Sequence, residues 1–600
     1  MEILGEEIVY MCRIAGVFHP DKSFREESIQ RMCDAMQRGG PDDAGFYHDA
    51  DFPLSLGHRR LSIIDLSSAG HQPMHDPEHQ LWIVYNGEIY NFPELKQELI
   101  SLGHQFRSQS DTEVILKAYA QWGTDAFRRL NGMYAFALFN RPQAQLLLVR
   151  DHAGIKPLYY RMDGEQLMFA SEVRAFKSLE TPAKENPHWK TLFLAFGHLP
   201  EPETTLENVN SLPKNHYFQF DLRTSAGSLH RFDQIFVSEQ ITDEREAIAL
   251  VRQELRDAVQ RQLISDAPIG LFLSGGIDSS ILTLLAKPHL ENNLQTTSII
   301  FDEAEFSEKQ YQDQIIAATG AQHSAYTIRQ SDFDDSLPDI LEAMDQPSND
   351  GINSYFIARC ARSTGLKVAL SGLGADELLG GYPSFQYAPY VSLLRNLPRW
   401  SHPILARLPD ERWKKVQFFR LPGLRGEYLF YRGIFTPREI AAISGESEDK
   451  VIQTLTKHAL PEDEEAPTDP GNRASWLESN FYMQNQLLRD TDSMSMWHGL
   501  EVRVPFLDRQ FMQKIWTIAP ATKFNAKLKK HLLIKAFKQE LPREIWDRPK
   551  RGFTFPFVHW FRQSERLREI PKSLEPYKTA FMQGQLSWAR FWVMYLSAIS

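Results

Sequence analysis

The chain of 600 residues has only three cysteines, Cys12, Cys33 and Cys360. So few exclude a disulfide scaffold and fit a reducing, cytoplasmic setting. No apolar run approaches the roughly eighteen residues that cross a bilayer, so neither a span nor a membrane partner is expected. The opening residues MEILGEEIVYM lack the basic start and long apolar stretch of a signal peptide. Basic charge is in deficit: 66 Lys and Arg stand against 77 Asp and Glu, a net charge of −11. That leaves no footprint for nucleic acid. Internal repeats, heptads and low-complexity tracts are absent too. What is present, 42% apolar, 24% charged and 12% aromatic residues, is the composition of a folded soluble protein of two to four domains.

The first two hundred residues are dense in short strand-like runs, LWIVYNGEIYN, GMYAFALFN, AQLLLVRD and PLYYRMD. Between them PELKQELISLG and DTEVILKAYAQWG carry apolar residues at helical spacing. The mixture predicts an α+β sandwich over 12–221. Around 222–245 the text turns polar and reads as a linker. From 246 to 600 apolar strands alternate with helices, with glycines at the strand ends, which predicts a doubly wound parallel sheet. The part beyond about 475 reads as helical, and LPEDEEAPTDPGN at 460–472 as an exposed loop.

Ser274-Gly275-Gly276-Ile277-Asp278-Ser279 follows a buried strand and opens a helix. Glycines admit close approach to the backbone, and the helix N-terminus and serine hydroxyls offer donors, so the segment is an anion cradle without a Walker A lysine. Asp278 would repel phosphate unless a cation intervened, which assigns it to Mg²⁺. A second junction, Ser371-Gly372-Leu373-Gly374-Ala375-Asp376-Glu377, repeats the logic and makes Asp376 the second metal ligand. Asn at either acid should then relieve repulsion in the metal-free protein.

These two junctions, with MSMWHGLEVRVPFLD at 494–508 and RPKRGF at 548–553, resemble the synthetase domain of class B asparagine synthetases. The resemblance implies an adenine-nucleotide α-hydrolase-like fold that consumes ATP and releases AMP and pyrophosphate. By it, Leu273, Ser274, Gly275, Gly276, Asp278, Ser279, Ser298, Ser371 and Gly372 hold ATP and pyrophosphate, and Lys550 steadies the transition-state phosphate. Glu501, Arg503 and Asp508 match the same block, or equally form a structural ion-pair network.

Met11-Cys12-Arg13-Ile14-Ala15-Gly16-Val17 resembles the start of class II glutamine amidotransferases, an N-terminal-nucleophile αββα fold. The order Arg60-Leu61-Ser62, Tyr85 to Asn91, Ser110-Asp111-Thr112-Glu113 and Arg150-Asp151 agrees. In such hydrolases the nucleophile's own α-amine is the base, because a thiol is little ionised at neutral pH. The resemblance makes Cys12 the nucleophile and Asn86 and Gly87 the oxyanion donors. Arg60 grips the glutamine α-carboxylate, and Asp111 and Glu88 receive its ammonium. Cys33 and Cys360 read as inert buried thiols. Cys12 is internal as written, so residues 1–11 read as a misassigned or removed extension with Met11 the initiator.

The implied reaction joins glutamine hydrolysis to adenylation of a carboxylate, giving asparagine from aspartate. A sugar acid or peptide acceptor, or a non-catalytic homologue, are the rival readings. The implied partners are glutamine, ATP and aspartate or another carboxylate, and the chain is compatible with a homodimer. Several positions depart from the family pattern. Leu373 replaces an acid, Arg13 a Gly, Ser493 an Arg and Ser307 an acid. Gly39 stands where an Arg precedes G-P-D, and Ala375 replaces Gly or Ser.

Overall fold

The computed structural model describes residues 12–599 apart from 20–21, 41–42, 61–62, 65–66, 234–239, 304, 409–410, 459–465, 526, 549–554, 565 and 569. The expectations for residues 1–11 and for Lys550 lie outside the described residues.

Strand Arg13–Phe18 is buried at every position because both its faces are covered. Ile14 and Phe18 enter one apolar cluster, and Ala15 and Val17 enter another. The period-two alternation of a strand makes this split. It sits in a six-stranded antiparallel sheet, paired with Leu54–Arg60 and Gln166–Ala170. A second six-stranded antiparallel sheet is built on Leu81–Ile89, Gly132–Asn140 and Gln145–Arg150. Ile14, Phe18, Val84, Phe139 and Leu146 fill the layer between the sheets. Helix Lys22–Ala35 covers one outer face through Ile29 and Met32. Helices Phe92–Ser101 and Asp111–Trp122 cover the other through Leu95, Leu99, Val114 and Ile115. The result is the expected αββα sandwich.

The stretch read as a linker contains an edge strand. Ala226–Arg231 pairs with His216–Asp221 and extends the second sheet. All six of its residues are exposed. Its polar sequence therefore reads like a linker, since burial rather than pairing writes the apolar signal.

The second half begins with helix Glu244–Gln262, capped by Asp243, whose carboxylate accepts from Glu246 N at 2.8 Å. A five-stranded parallel sheet follows, in the spatial order Gln322–Thr327, Gln295–Ile300, Ile269–Phe272, Val368–Leu370, Glu501–Arg503. The chain reverses direction of growth between Ile269–Phe272 and Val368–Leu370. Ligands bind at the carboxyl ends of strands at such a switch point. Both glycine-rich junctions leave the sheet there. Beyond about 475 the described residues are largely helical, as expected; of the stretch read as an exposed loop, 460–465 lie outside the described residues and 470–472 instead open helix Pro470–Leu477, capped by Asp469.

Candidate functional site

The two junctions touch. A Cβ on Gly372 would lie 2.8 Å from Cβ of Asp278, so only glycine lets the second loop pass against the first. Gly275 adopts φ +78°, a left-handed turn that side chains disfavour. Ser274 Oγ lies 3.0 Å from Ser279 Oγ and accepts from Gly276 N at 3.2 Å. Ser298 Oγ donates to the Leu273 carbonyl and ties the neighbouring strand to the loop. Arg548, the first residue of the RPKRGF motif, donates to the Gly275 carbonyl at 3.1 Å and pairs with Glu308 at 2.9 Å. Together the junctions line a cavity of about 260 Å³ that includes Leu273, Ser274, Asp278, Ser279, Ser298, Ser371, Gly372 and Asp376.

A residue the sequence did not single out bridges two of the lining acids, Asp278 and Asp376. Lys530 Nζ is 2.5 Å from Asp278 Oδ2 and 2.6 Å from Asp376 Oδ1. Burial pushes its pKa down, but the two carboxylates outweigh that and hold it above the ordinary lysine value. Lys530 also adopts a left-handed backbone (φ 52°) at the start of helix His531–Phe537, an uncommon conformation for a non-glycine residue. In KLKKHLL it reads as one lysine of a solvated basic run. The cation demanded between the two acids is thus supplied by the protein. The expected relief of repulsion in Asn variants is reversed: either substitution costs Lys530 a partner. Each carboxylate offers hard oxygen donors of the kind Mg²⁺ takes, while the point on which they converge is held by Lys530 Nζ.

Further acids line the cavity: Asp350, Glu377 and Asp490. Burial raises the Glu377 carboxyl to about 7, aided by Asp376. Burial raises Asp490 to about 7 as well, against the pull of Arg489 and a hydrogen bond from Ser348. The folded state thus holds a proton on Asp490 that the unfolded chain, with its ordinary value of 3.8, releases. Its contribution to stability is fully present below 3.8 and is lost progressively as pH rises from there to about 7. Asp490→Asn is therefore expected to melt a few degrees above wild type at pH 8 and by a clearly smaller margin at pH 5, closer to the unfolded value of 3.8. Thermal melts at the two values check this; an equal shift at both refutes it.

In the first half, Cys12 opens strand Arg13–Phe18 and faces a pocket with Arg60, Asn86, Gly87, Glu88 and Asp111. Asn86 Nδ2 is buried there and makes no hydrogen bond, a donor with nothing yet to donate to. Asp111 Oδ2 accepts from Tyr85 Oη at 2.8 Å and Ile89 N at 2.9 Å. Burial nevertheless pushes its carboxyl up to about 6. Burial and the Glu501 charge raise Glu88 further above the usual range. Arg60 Nη1 donates to the Ser67 carbonyl at 3.1 Å. Burial pushes the Cys33 and Cys360 thiols up to about 12, which keeps them unreactive.

Glu501 also lines this pocket, although it belongs to the parallel sheet. Of the two readings of Glu501, Arg503 and Asp508, the ion-pair network is what the contacts show. Arg503 binds Glu501 at 2.8 Å and approaches Glu88 at 3.6 Å. Asp508 binds Arg261 at 2.8 Å and accepts from Asn131 Nδ2 at 3.1 Å. Lys156 reaches Asp492 at 3.2 Å.

Arg13 and Gly39 explain each other. Arg13 is fully buried and pairs with Glu172 at 2.6 Å and Asp492 at 3.1 Å. A Cβ at position 39 would fall 2.5 Å from Arg13 Cγ, so an arginine side chain there requires glycine opposite. Asp492 lies on helix Arg489–Met496, whose Asp490 and Thr491 line the other cavity. One helix thus touches the residue beside Cys12 and the second cavity. Nothing in the structure explains Ser307 or Ala375 in place of the family residues.

The asparagine synthase family model matches residues 250–585, and that of the glutamine amidotransferase domain matches residues 11–232. The chain is 33% identical to glutamine-hydrolyzing asparagine synthetase 1 of Bacillus subtilis, over 93% of this chain and 90% of that protein. It is 31% identical to a putative glutamine-hydrolyzing asparagine synthetase of Mycobacterium tuberculosis, over 93% and 89%. To asparagine synthetase B of Escherichia coli it is 27% identical, over 91% and 82%.

Proposed function

The chain belongs to the asparagine synthase family, and from that premise we propose that it makes asparagine from aspartate, glutamine and ATP. The observation that carries the reading is the meeting of the two glycine-rich junctions around Lys530, in a chain whose other half sets Cys12 against an unengaged Asn86 amide. Cys12 as thiolate attacks the side-chain amide carbon of glutamine. The Asn86 amide and Gly87 N–H stabilise the resulting oxyanion, and collapse expels ammonia and leaves a thioester that water hydrolyses to glutamate. Arg60 holds the glutamine α-carboxylate, and Asp111 and Glu88 hold its ammonium. The base is the Cys12 α-amine, freed by removal of Met11.

Ammonia then moves within the protein past the Glu501–Arg503 strand to the second cavity. There the β-carboxylate oxygen of aspartate attacks the α-phosphorus of ATP and pyrophosphate leaves. Adenylation is needed because a carboxylate is a poor electrophile while AMP is a good leaving group. Ser274 to Ser279 cradle the phosphates, Ser298, Ser371 and Gly372 border the adenylate, and Lys550 steadies the phosphate. Mg²⁺ arriving with the nucleotide would screen phosphate charge, held by Asp278 and Asp376. Ammonia attacks the acyl carbon, loses a proton and displaces AMP.

The test is a pyrophosphate-release assay over candidate carboxylates with glutamine or ammonium as donor. Release that requires aspartate, with asparagine found by mass spectrometry, is the expected result. Release driven by a hexuronic acid and not by aspartate would overturn the acceptor, and Leu373, apolar where the family carries an acid, is the residue to examine then.

A further inference from the structure

We propose that residues 383–408 form a docking surface for an anionic lipid bilayer. Fifteen large hydrophobic side chains are exposed among the described residues, and seven of them fall between Tyr387 and Leu408. Trp400 is 72% exposed, Leu393 69%, Tyr390 67% and Ile404 59%. They are not scattered. In helix Pro383–Arg395, Ser384, Ala388 and Val391 face inward at steps of four and three. Tyr387, Tyr390 and Leu393 recur every third residue, running from the flank of that face at Tyr387 to the opposite side at Leu393. A helix apolar on both faces is normally buried on both. Here the inner face packs on a small core of Val391, Val416 and Phe419, with Leu394, Leu405 and Trp413 against it. On the outer side Tyr390 and Leu393 are 67% and 69% exposed among the described residues, and exposed apolar side chains grouped in one segment mark an interaction site.

Charge names the occupant. Residues 383–420 carry seven Arg and Lys against two acids, in a chain whose net charge is −11. Arg395 and Arg420 turn to Glu427 and Glu448, and Arg407 is exposed in the same segment, as is the Arg412 side chain. Tyr and Trp amid aliphatic side chains, flanked by arginine, make the composition that settles at the headgroup level of a membrane carrying negative lipid. A second copy of the chain fits poorly, because a twofold interface on this face would oppose its arginines to themselves. No helix among the described residues is long and apolar enough to cross a membrane. The attachment is peripheral, and it departs from the sequence expectation of no membrane partner. The surface begins one residue after Tyr382, which lines the second cavity, so attachment holds that cavity near the bilayer.

The experiment is co-sedimentation of the full chain with vesicles of phosphatidylglycerol and phosphatidylcholine, and of phosphatidylcholine alone. Binding to the anionic vesicles, weakened by salt and reduced about tenfold or more in Trp400→Ser/Ile404→Ser, is the expected result. Arg407→Glu/Arg412→Glu should lose the preference for phosphatidylglycerol. Both variants should keep wild-type ammonia-dependent activity, which shows that they fold. Absence of sedimentation at low salt, or sedimentation that both variants retain, overturns the proposal. So does a concentration-dependent dimer in the ultracentrifuge that Trp400→Ser/Ile404→Ser abolishes, since a second copy would then own the face.

Discussion

Lys530→Met is expected to abolish acceptor-dependent pyrophosphate release, by about a hundredfold or more, while glutamine hydrolysis at Cys12 persists. The ammonium is the described protein cation that holds Asp278 and Asp376 together, at 2.5 and 2.6 Å. Removing it leaves two carboxylates where a polyphosphate must bind. Loss of one preorganised charge at such a site costs about 3–4 kcal/mol of transition-state stabilisation. Stability should fall too, by about 1–3 kcal/mol. That is below the cost of breaking a fully buried pair, because the two acids keep roughly a fifth of their side-chain surface exposed. Pyrophosphate release and a thermal melt measured on the same preparation separate the two effects. Lys530→Met with synthesis within about threefold of wild type would reduce Lys530 to a structural pin.

Cys12→Ala is expected to remove glutamine-driven synthesis, by about a thousandfold or more, and to leave ammonia-driven synthesis within about twofold of wild type. In the proposed mechanism the Cys12 thiol is the group that forms the bond to glutamine. Cys12 lines a different cavity from the one that the Ser274–Ser279 loop lines. The small residual effect allowed on synthesis has a definite route: Arg13, next to Cys12, pairs with Asp492 on the helix that carries Asp490 and Thr491 into the second cavity. Parallel assays with glutamine and with ammonium chloride decide the matter. Loss of both activities in a folded variant would mean that the two sites are not chemically separate.

Much of this architecture is written locally. The strand runs GMYAFALFN and LWIVYNGEIYN, and the helix DTEVILKAYAQWG, lie where their periods place them, as Gly132–Asn140, Leu81–Ile89 and Asp111–Trp122. The pairing of two strand-end loops was legible from their repeated Ser-Gly pattern with an acid behind it. Each is a signal carried by residues within a few positions of one another, where side-chain period and turn chemistry act. The edge strand Ala226–Arg231 was not legible, because an exposed strand has no apolar alternation to betray it.

By itself, then, the sequence determined the order of the two matched family regions, the place of Cys12 at the head of a strand, and the glycine-lined junctions with Asp278 and Asp376. Only the tertiary structure decided what stands among them. Lys530 lies 252 positions from Asp278, and Lys156 lies 336 from Asp492. Glu501 crosses from the parallel sheet into the pocket of Cys12. A charge in a run of lysines and a charge clamped between two carboxylates are spelled alike. What distinguishes them is burial and the partner that arrives from elsewhere in the chain, and these exist only once the chain has folded.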